Sequence, residues 1–290
     1  MKDALSNIEF LDTDTLPGSE PLTGETPGEK APLYIIKIGG NIIDDEIKLF
    51  TFLKDFAAIK GHRILVHGGG KMATRVAESM GITQQMIEGR RITDAETLKV
   101  VTMVYAGYIN KNITAQLQAV GCNAIGLSGA DGNVIRAHKR IHPVTDYGFA
   151  GDVDDVNALF IQQLLEQNIS IVFCPITHDA NGLLLNTNAD TIAQEIGKAM
   201  SRQFDVSLIY CFEKAGVLMD ADDDASVIKK INVESFVSLK EKNIISAGMI
   251  PKLQNAFTAL DAGVQHISIG HAENLQRLIT RESGTSIVHG

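Results

Sequence analysis

Two stretches of this chain share one plan. "LYIIKIGG", Leu33 to Gly40, and "HRILVHGGG", His62 to Gly70, are β-branched apolar runs that end in glycines and lead into a segment of helical spacing. Apolar runs without polar alternation are strands buried on both faces, so a repeated strand, glycine turn and helix implies a parallel sheet covered on both sides. The pattern continues along the chain. "ISIVFCPITHD", "VSLIYCFEKAGVLMD" and "HISIG" read as further strands. "IKLFTFLKDFAAIKG", Lys71 to Met80, "DAETLKVVTMVYAGYINKNITAQLQAVG" with an interruption near Gly107, "TNADTIAQEIGKAM" and "MIPKLQNAFTALDAG" read as helices. "NAIGLSGADGNVIRAHKR" and "PVTDYGFAGDVDDV" carry the Gly and Asp punctuation of short strands and hairpins. The expected fold is α/β, a three-layer αβα sandwich around a central, mainly parallel sheet. Its two lobes, over 33–181 and 182–290, share that sheet.

At 290 residues the chain is long enough to bury such a core. A net charge of -9 leaves no basic excess to displace counterions from nucleic acid, so an anionic substrate has to meet a locally positive site. Cys122, Cys174 and Cys211 are scattered and form no C-x-x-C, which points to buried thiols in a reducing cytosol rather than to zinc or disulfides. No apolar run approaches a membrane span. Residues 1–32, rich in Pro, Gly, Thr and acidic side chains, lack the apolar core of a secretory signal and read as a flexible extension. A cytoplasmic location follows.

The glycines of "ILVHGGGKMATR" suggest a phosphate loop, but Leu65 stands where a P-loop needs its first glycine and Met72 where it needs Ser or Thr. A dinucleotide fingerprint is satisfied only in its looser form, with Ala73 in the third glycine position and Asp94 or Glu96 in the acidic window. That local motif decides nothing by itself, although a dehydrogenase fingerprint should open the first strand and here the cluster opens the second. Lys37 ends a buried strand just before Gly39 and Gly40. An ammonium there is costly unless it emerges at the carboxyl edge of the sheet, where open α/β folds bind ligands. Gly68, Gly69 and Gly70 repeat the arrangement on the next strand, and two such turns side by side can cradle an oxyanion with backbone N–H groups. His67 reads as a hydrogen-bonded structural residue. "NTNADT", Asn186 to Thr191, places more polar groups before a helix than a cap requires. Lys252 begins a helix, where a cation is disfavoured unless an anion shares the site.

In order and spacing, "YIIKIGGN", "ILVHGGGK", "EGRRITD", "AIGLSGADG", "LNTNADT", "CFEKAGVL", "SAGMIPK" and "HAENL" resemble the acetylglutamate kinase subfamily of the amino acid kinase family, from about Leu33 to the C-terminus. The resemblance implies transfer of the γ-phosphoryl group of ATP, with Mg2+ carried in by the nucleotide, to the side-chain carboxylate of N-acetyl-L-glutamate in the second step of arginine biosynthesis. It implies Lys37 and Lys252 as transition-state stabilisers, Asp190 as the carboxylate that orients both, and Gly40, Gly69 and Gly70 as backbone donors. Arg91 and Asn186 would hold the acylglutamate, in the N-terminal lobe, which would also form a homodimer. Glu213, Lys214, Ala215, Gly216, Val217 and Leu218, with Ile244, Ile245 and Ser246, would contact ATP in the C-terminal lobe. No protein-held metal is implied.

Some positions depart from the family pattern. Lys71 replaces a proline, Arg90 adds a second arginine beside Arg91, Thr187 replaces an apolar residue, Ala247 replaces a glycine, and "CFEKAGV" stands for "LTDVPGV". The first three lie on the acylglutamate side, and Arg90 with Lys71 would suit an extra carboxylate, as on N-succinyl-L-glutamate. The extension does not match the helix through which arginine-inhibited members form hexamers, which points to a dimer without arginine feedback. A non-catalytic amino-acid sensor of the same fold is the rival class, and retention of Lys37, Asp190 and Lys252 together speaks against it.

Overall fold

The computed structural model describes residues 30–87, 90–220, 222–245 and 249–290. The expected extension therefore lies outside the described residues as far as residue 29, and so do Ser246 and Ala247.

Eight strands form one sheet in the spatial order Lys230–Ile231, Thr285–Ile287, His266–His271, Asp205–Phe212, Pro32–Ile38, His62–His67, Ser170–Phe173, Ala124–Leu127. All neighbours are parallel except His266–His271 with Thr285–Ile287. Strand alternation divides the core into two layers. Leu33, Ile35, Ile64, Val66 and Leu208 pack on one face against Ile192, Ile196 and Leu253 of the helices Ala189–Met200 and Ile250–Asp261. Ile36, Ile38, Leu65 and Ile209 pack on the other face against Leu53, Phe56, Val101 and Ile113. This is the αβα sandwich expected. Asp205–Phe212 pairs with Pro32–Ile38 from Pro32↔Asp205 to Ile38↔Cys211, so both halves of the chain supply the centre of the sheet.

The Gly- and Asp-rich segments form the short strands expected of them, but these close into a small four-stranded barrel of Leu184–Thr187, Ala150–Val156, Ile135–Lys139 and Ile176–His178, which the sequence reading did not foresee. A ribbon of Gln85–Ile87 and Arg90–Ile92 lies beside it, joined through Thr93 N to Tyr147 O and Phe149 N to Thr93 O. The interruption expected near Gly107 is a widened π-helical stretch, Met103–Ile109, between Ala95–Thr102 and Asn110–Ala119. Asp94 caps the first segment by accepting from Thr97 N at 2.7 Å.

All three cysteines are free and buried, and burial pushes the thiols of Cys174 and Cys211 up to about 12. Among the described residues no helix is long and apolar enough to cross a membrane.

Candidate active site

The strands Pro32–Ile38 and His62–His67 run parallel and end together, Ile38 opposite His67, so their two glycine turns sit side by side at the carboxyl edge of the sheet. Alternation puts Lys37 on the same face as Ile35, beneath the helix Ala189–Met200. That helix is capped by Asn188, whose Oδ1 accepts from Asp190 N at 2.8 Å and Thr191 N at 3.2 Å. The cap fixes Asp190, which is buried, in the first turn. Its carboxylate faces two lysines: Lys37 Nζ lies 2.7 Å from Oδ1, and Lys252 Nζ donates to Oδ2. Lys252 stands in the first turn of Ile250–Asp261, just after Pro251, and Asp190 supplies the anion that the helix dipole calls for there. Burial alone would raise the Asp190 carboxyl, but the charges of Lys37 and Lys252 outweigh it and hold the group well below the usual carboxylate range.

Asp190 and Lys37 border a cleft of about 250 Å3 that also meets Gly40, Gly69, Gly70, Arg91 and Asn186. Seven of the residues expected to bind or react are thus gathered in one cavity, with Lys252 joined to it through Asp190. Two helices begin at its wall, Gly40–Ile43 after Gly39 and Gly70–Ser79 after Gly69, and neither has a side-chain cap. Unsatisfied first-turn N–H groups with no covering side chain are anion donors.

Arg91 is buried and already engaged. It donates from Nη2 to Gly70 O at 3.0 Å and Thr74 Oγ1 at 2.9 Å, and from Nη1 to Gln84 Oε1. It thereby fastens the second glycine turn while keeping donors for a ligand, since a guanidinium has five. Asn186 Nδ2 donates to Thr93 Oγ1 at 3.0 Å. The surplus of polar groups in "NTNADT" is thus partly structural: Asn188 caps, and Thr187 shares a 2.7 Å hydrogen bond with Thr177. His67 is structural as well. Its Nδ1 hydrogen is donated to Gly68 O at 2.7 Å, Nε2 faces Asn110 Nδ2 at 3.3 Å, and burial pushes its pKa down to about 4.

A second cleft shares Gly39, Gly40 and Gly70 and is closed by Phe212, Glu213 and Lys71. Glu213 of the expected nucleotide segment is therefore beside the glycine turns. Its neighbours are placed otherwise. Lys214 pairs with Asp224 at 3.4 Å on the surface, and the side chains of Leu218 and Ile245 are buried in the core. Val217 is turned inward: its side chain is buried, its N–H donates to Thr285 Oγ1, and its carbonyl accepts from Ile228 N. Gly216 is pressed against Val227 and Thr285, while Ala215 and Ile244 are half-buried. Lys71 also departs from expectation. It donates to Asn41 Oδ1 and borders the second cleft, not the one with Arg91.

The sequence reading missed Met86, Tyr105, Gly151 and Pro175 as walls of the main cleft. Tyr105 is turned there by the π-helical stretch, and burial raises its hydroxyl pKa while neighbouring Arg91 opposes the shift. Gly151 gave one signal, a glycine inside a strand, which marks close backbone approach.

An open parallel sheet with uncapped helix starts and paired lysines at its carboxyl edge is the layout of a phosphotransferase. The sequence profile of the Amino acid kinase family matches residues 32–271, and the chain belongs to that family. Within it the chain groups with the acetylglutamate kinases: it is 56% identical over 258 residues to the acetylglutamate kinase of Phocaeicola vulgatus, covering 89% of this chain and 99% of that one. Two solved structures share the fold. N-acetylglutamate synthase from Neisseria gonorrhoeae, complexed with coenzyme A and N-acetyl-glutamate, has a TM-score of 0.77 at 21% identity, over 90% of this chain and 60% of that longer one. Carbamate kinase from Giardia lamblia bound to AMP-PNP has a TM-score of 0.64 at 14% identity, over 91% of this chain and 100% of that one.

Proposed function

We propose that the protein transfers the γ-phosphoryl group of ATP to the side-chain carboxylate of N-acetyl-L-glutamate, giving the acyl phosphate used in arginine biosynthesis. The observation that carries this reading is Asp190 shared by Lys37 and Lys252 beside two uncapped glycine turns. A carboxylate with a pKa of about 4.3 is ionised at neutral pH, so no general base is required. The obstacle is repulsion between the nucleophile and the phosphates, and catalysis is positioning and charge stabilisation. In the step, a carboxylate oxygen forms a bond to the γ-phosphorus as the bond to the β–γ bridging oxygen breaks, and ADP leaves.

Lys37 and Lys252 flank the charge that spreads over the transferred group, and Asp190 holds both in place. The N–H groups at Gly40 and Gly70 face phosphoryl oxygens. Arg91, with its remaining donors, takes the α-carboxylate, and Asn186 the acyl amide. The second cleft, with Glu213, receives the rest of the nucleotide. Magnesium supplies neutralising charge when bound. It would arrive with the nucleotide, held mainly by phosphates and water. The reading includes a cytoplasmic homodimer. Met103 and Tyr108, exposed on the long helical segment, offer an apolar face for the second copy.

A hydroxamate assay with N-acetyl-L-glutamate, L-glutamate and L-aspartate tests the activity. Acyl phosphate is expected only with the acylated substrate, and its absence there refutes the assignment.

A further inference from the structure

We propose that Tyr210 is a positioning residue for the transfer: its hydroxyl donates to Asp190 as Lys37 and Lys252 turn their ammonium groups onto the transferred phosphoryl, and so holds the carboxylate in place through the step. The inference rests on the phosphoryl transfer proposed above and adds a residue to that site.

The first support is placement. Tyr210 lies on Asp205–Phe212, in register with Lys37 on one side and Ile269 on the other. Paired residues of neighbouring parallel strands stand about 4.8 Å apart and project to the same face. The phenol and the Lys37 stem therefore rise side by side beneath the layer of the helices Ala189–Met200 and Ile250–Asp261. Lysine and tyrosine have nearly the same reach, and Lys37 Nζ ends 2.7 Å from Asp190 Oδ1. The hydroxyl ends in the neighbourhood of that carboxylate, whose charge acts on it.

The second support is that both groups are buried and incompletely satisfied. Tyr210 is buried, and its Oη has no hydrogen-bond partner among the described residues. Asp190 Oδ1 is buried too, and its contact with Lys37 is an ion pair without hydrogen-bond geometry. One atom is a donor and the other an acceptor. Glu195, the other acid whose charge reaches the phenol, is already taken by Lys198 at 2.8 Å. Burial first, and then the charges of Asp190 and Glu195, hold the hydroxyl protonated well above the usual phenol range, so it is a neutral donor.

The third support is energetic. A buried hydroxyl without a partner costs stability, and phenylalanine would fill the same space free of that cost, so tyrosine here calls for a use beyond the resting structure. The reaction supplies one. At rest two cations hold Asp190. As negative charge spreads over the transferred group, their donors are drawn toward it, and the buried carboxylate is left short of hydrogen bonds. A neutral donor on the floor of the site replaces them without competing for the phosphates.

The test is Tyr210→Phe, which removes the hydroxyl and keeps the ring. With ATP and N-acetyl-L-glutamate, kcat is expected to fall about tenfold, the size of one hydrogen bond to a charged group. Both KM values should stay within about twofold, and the urea midpoint should be no lower than that of the wild type. In an Asp190→Asn background the same change should slow the residual reaction by less than about twofold, because the hydroxyl acts through the carboxylate. An unchanged kcat in Tyr210→Phe, a fall that comes with a lowered urea midpoint, or a loss that persists in full in the Asp190→Asn background overturns the proposal and leaves the kinase reading intact. Wild-type enzyme that forms no acyl phosphate overturns the kinase reading and the proposal together.

Discussion

The two glycine turns at the sheet edge look alike in sequence and are built for different ends. Gly69 has φ +145°, a conformation L side chains rarely adopt, and an added Cβ would run into Ile109 and the ring of Tyr105, 3.1 Å away. The fold itself demands this glycine. A Cβ at Gly39 would meet nothing within 4 Å, and one at Gly40 nothing closer than 3.7 Å, while Gly39 has an ordinary extended φ of −96°. Neither packing nor backbone strain explains glycine there. Open space at Gly39 and Gly40 suits the ligand approach proposed above, whereas Gly69 is fixed by its packing against the core.

That contrast can be broken at several points. The largest effect belongs to the first turn: Lys37→Ala should lower kcat about a thousandfold, roughly 4 kcal/mol of transition-state stabilisation, with little change in the urea midpoint because Asp190 keeps Lys252. A large loss of stability with chemistry preserved would reverse the assignment. Next, Gly69→Ala should cost about 3 kcal/mol in urea denaturation, from strain and overpacking together. An unchanged midpoint would show that the second turn is no more fixed than the first.

Acid should also weaken the second turn, through His67. Its folded-state pKa of about 4 lies below the unfolded value near 6.5, so the neutral ring's stabilisation is full above pH 6.5 and is lost as the pH falls through 4. The shift corresponds to about 3 kcal/mol. Stability measured across that window should fall in the wild type and stay flatter in His67→Gln. The smallest effect is Gly39→Ala, expected to leave stability within about 0.5 kcal/mol while raising KM for ATP roughly tenfold, about 1.4 kcal/mol. If neither quantity moves, the clear space at Gly39 has no use.

Much of this was legible because it is periodic. Leu33 to Ile38 and His62 to His67 announce buried strands, and the costly position of Lys37 announces a functional edge. Lys252 was legible as a cation at the wrong end of a helix, though its partner Asp190 required the resemblance. The small barrel was not legible, since strands of three to seven residues such as Ile176–His178 carry too few alternations to fix their pairing. Nor was the π-helical stretch, whose composition matches an α-helix and whose cause is tertiary: it seats Tyr105 and Ile109 against Gly69. The inward turn of the Val217 side chain was not legible either, because position in a motif does not say which way a residue faces.

The carboxylate held in common by Lys37 and Lys252 has a consequence for how the enzyme is made. One lysine is on the first strand and the other on a helix far later in the chain, so on the proposed assignment a growing polypeptide lacks its working centre until that helix has been made. At a synthesis rate of about 5–20 residues per second, that leaves an interval of many seconds in which a partly made chain can fold its early strands but cannot spend ATP.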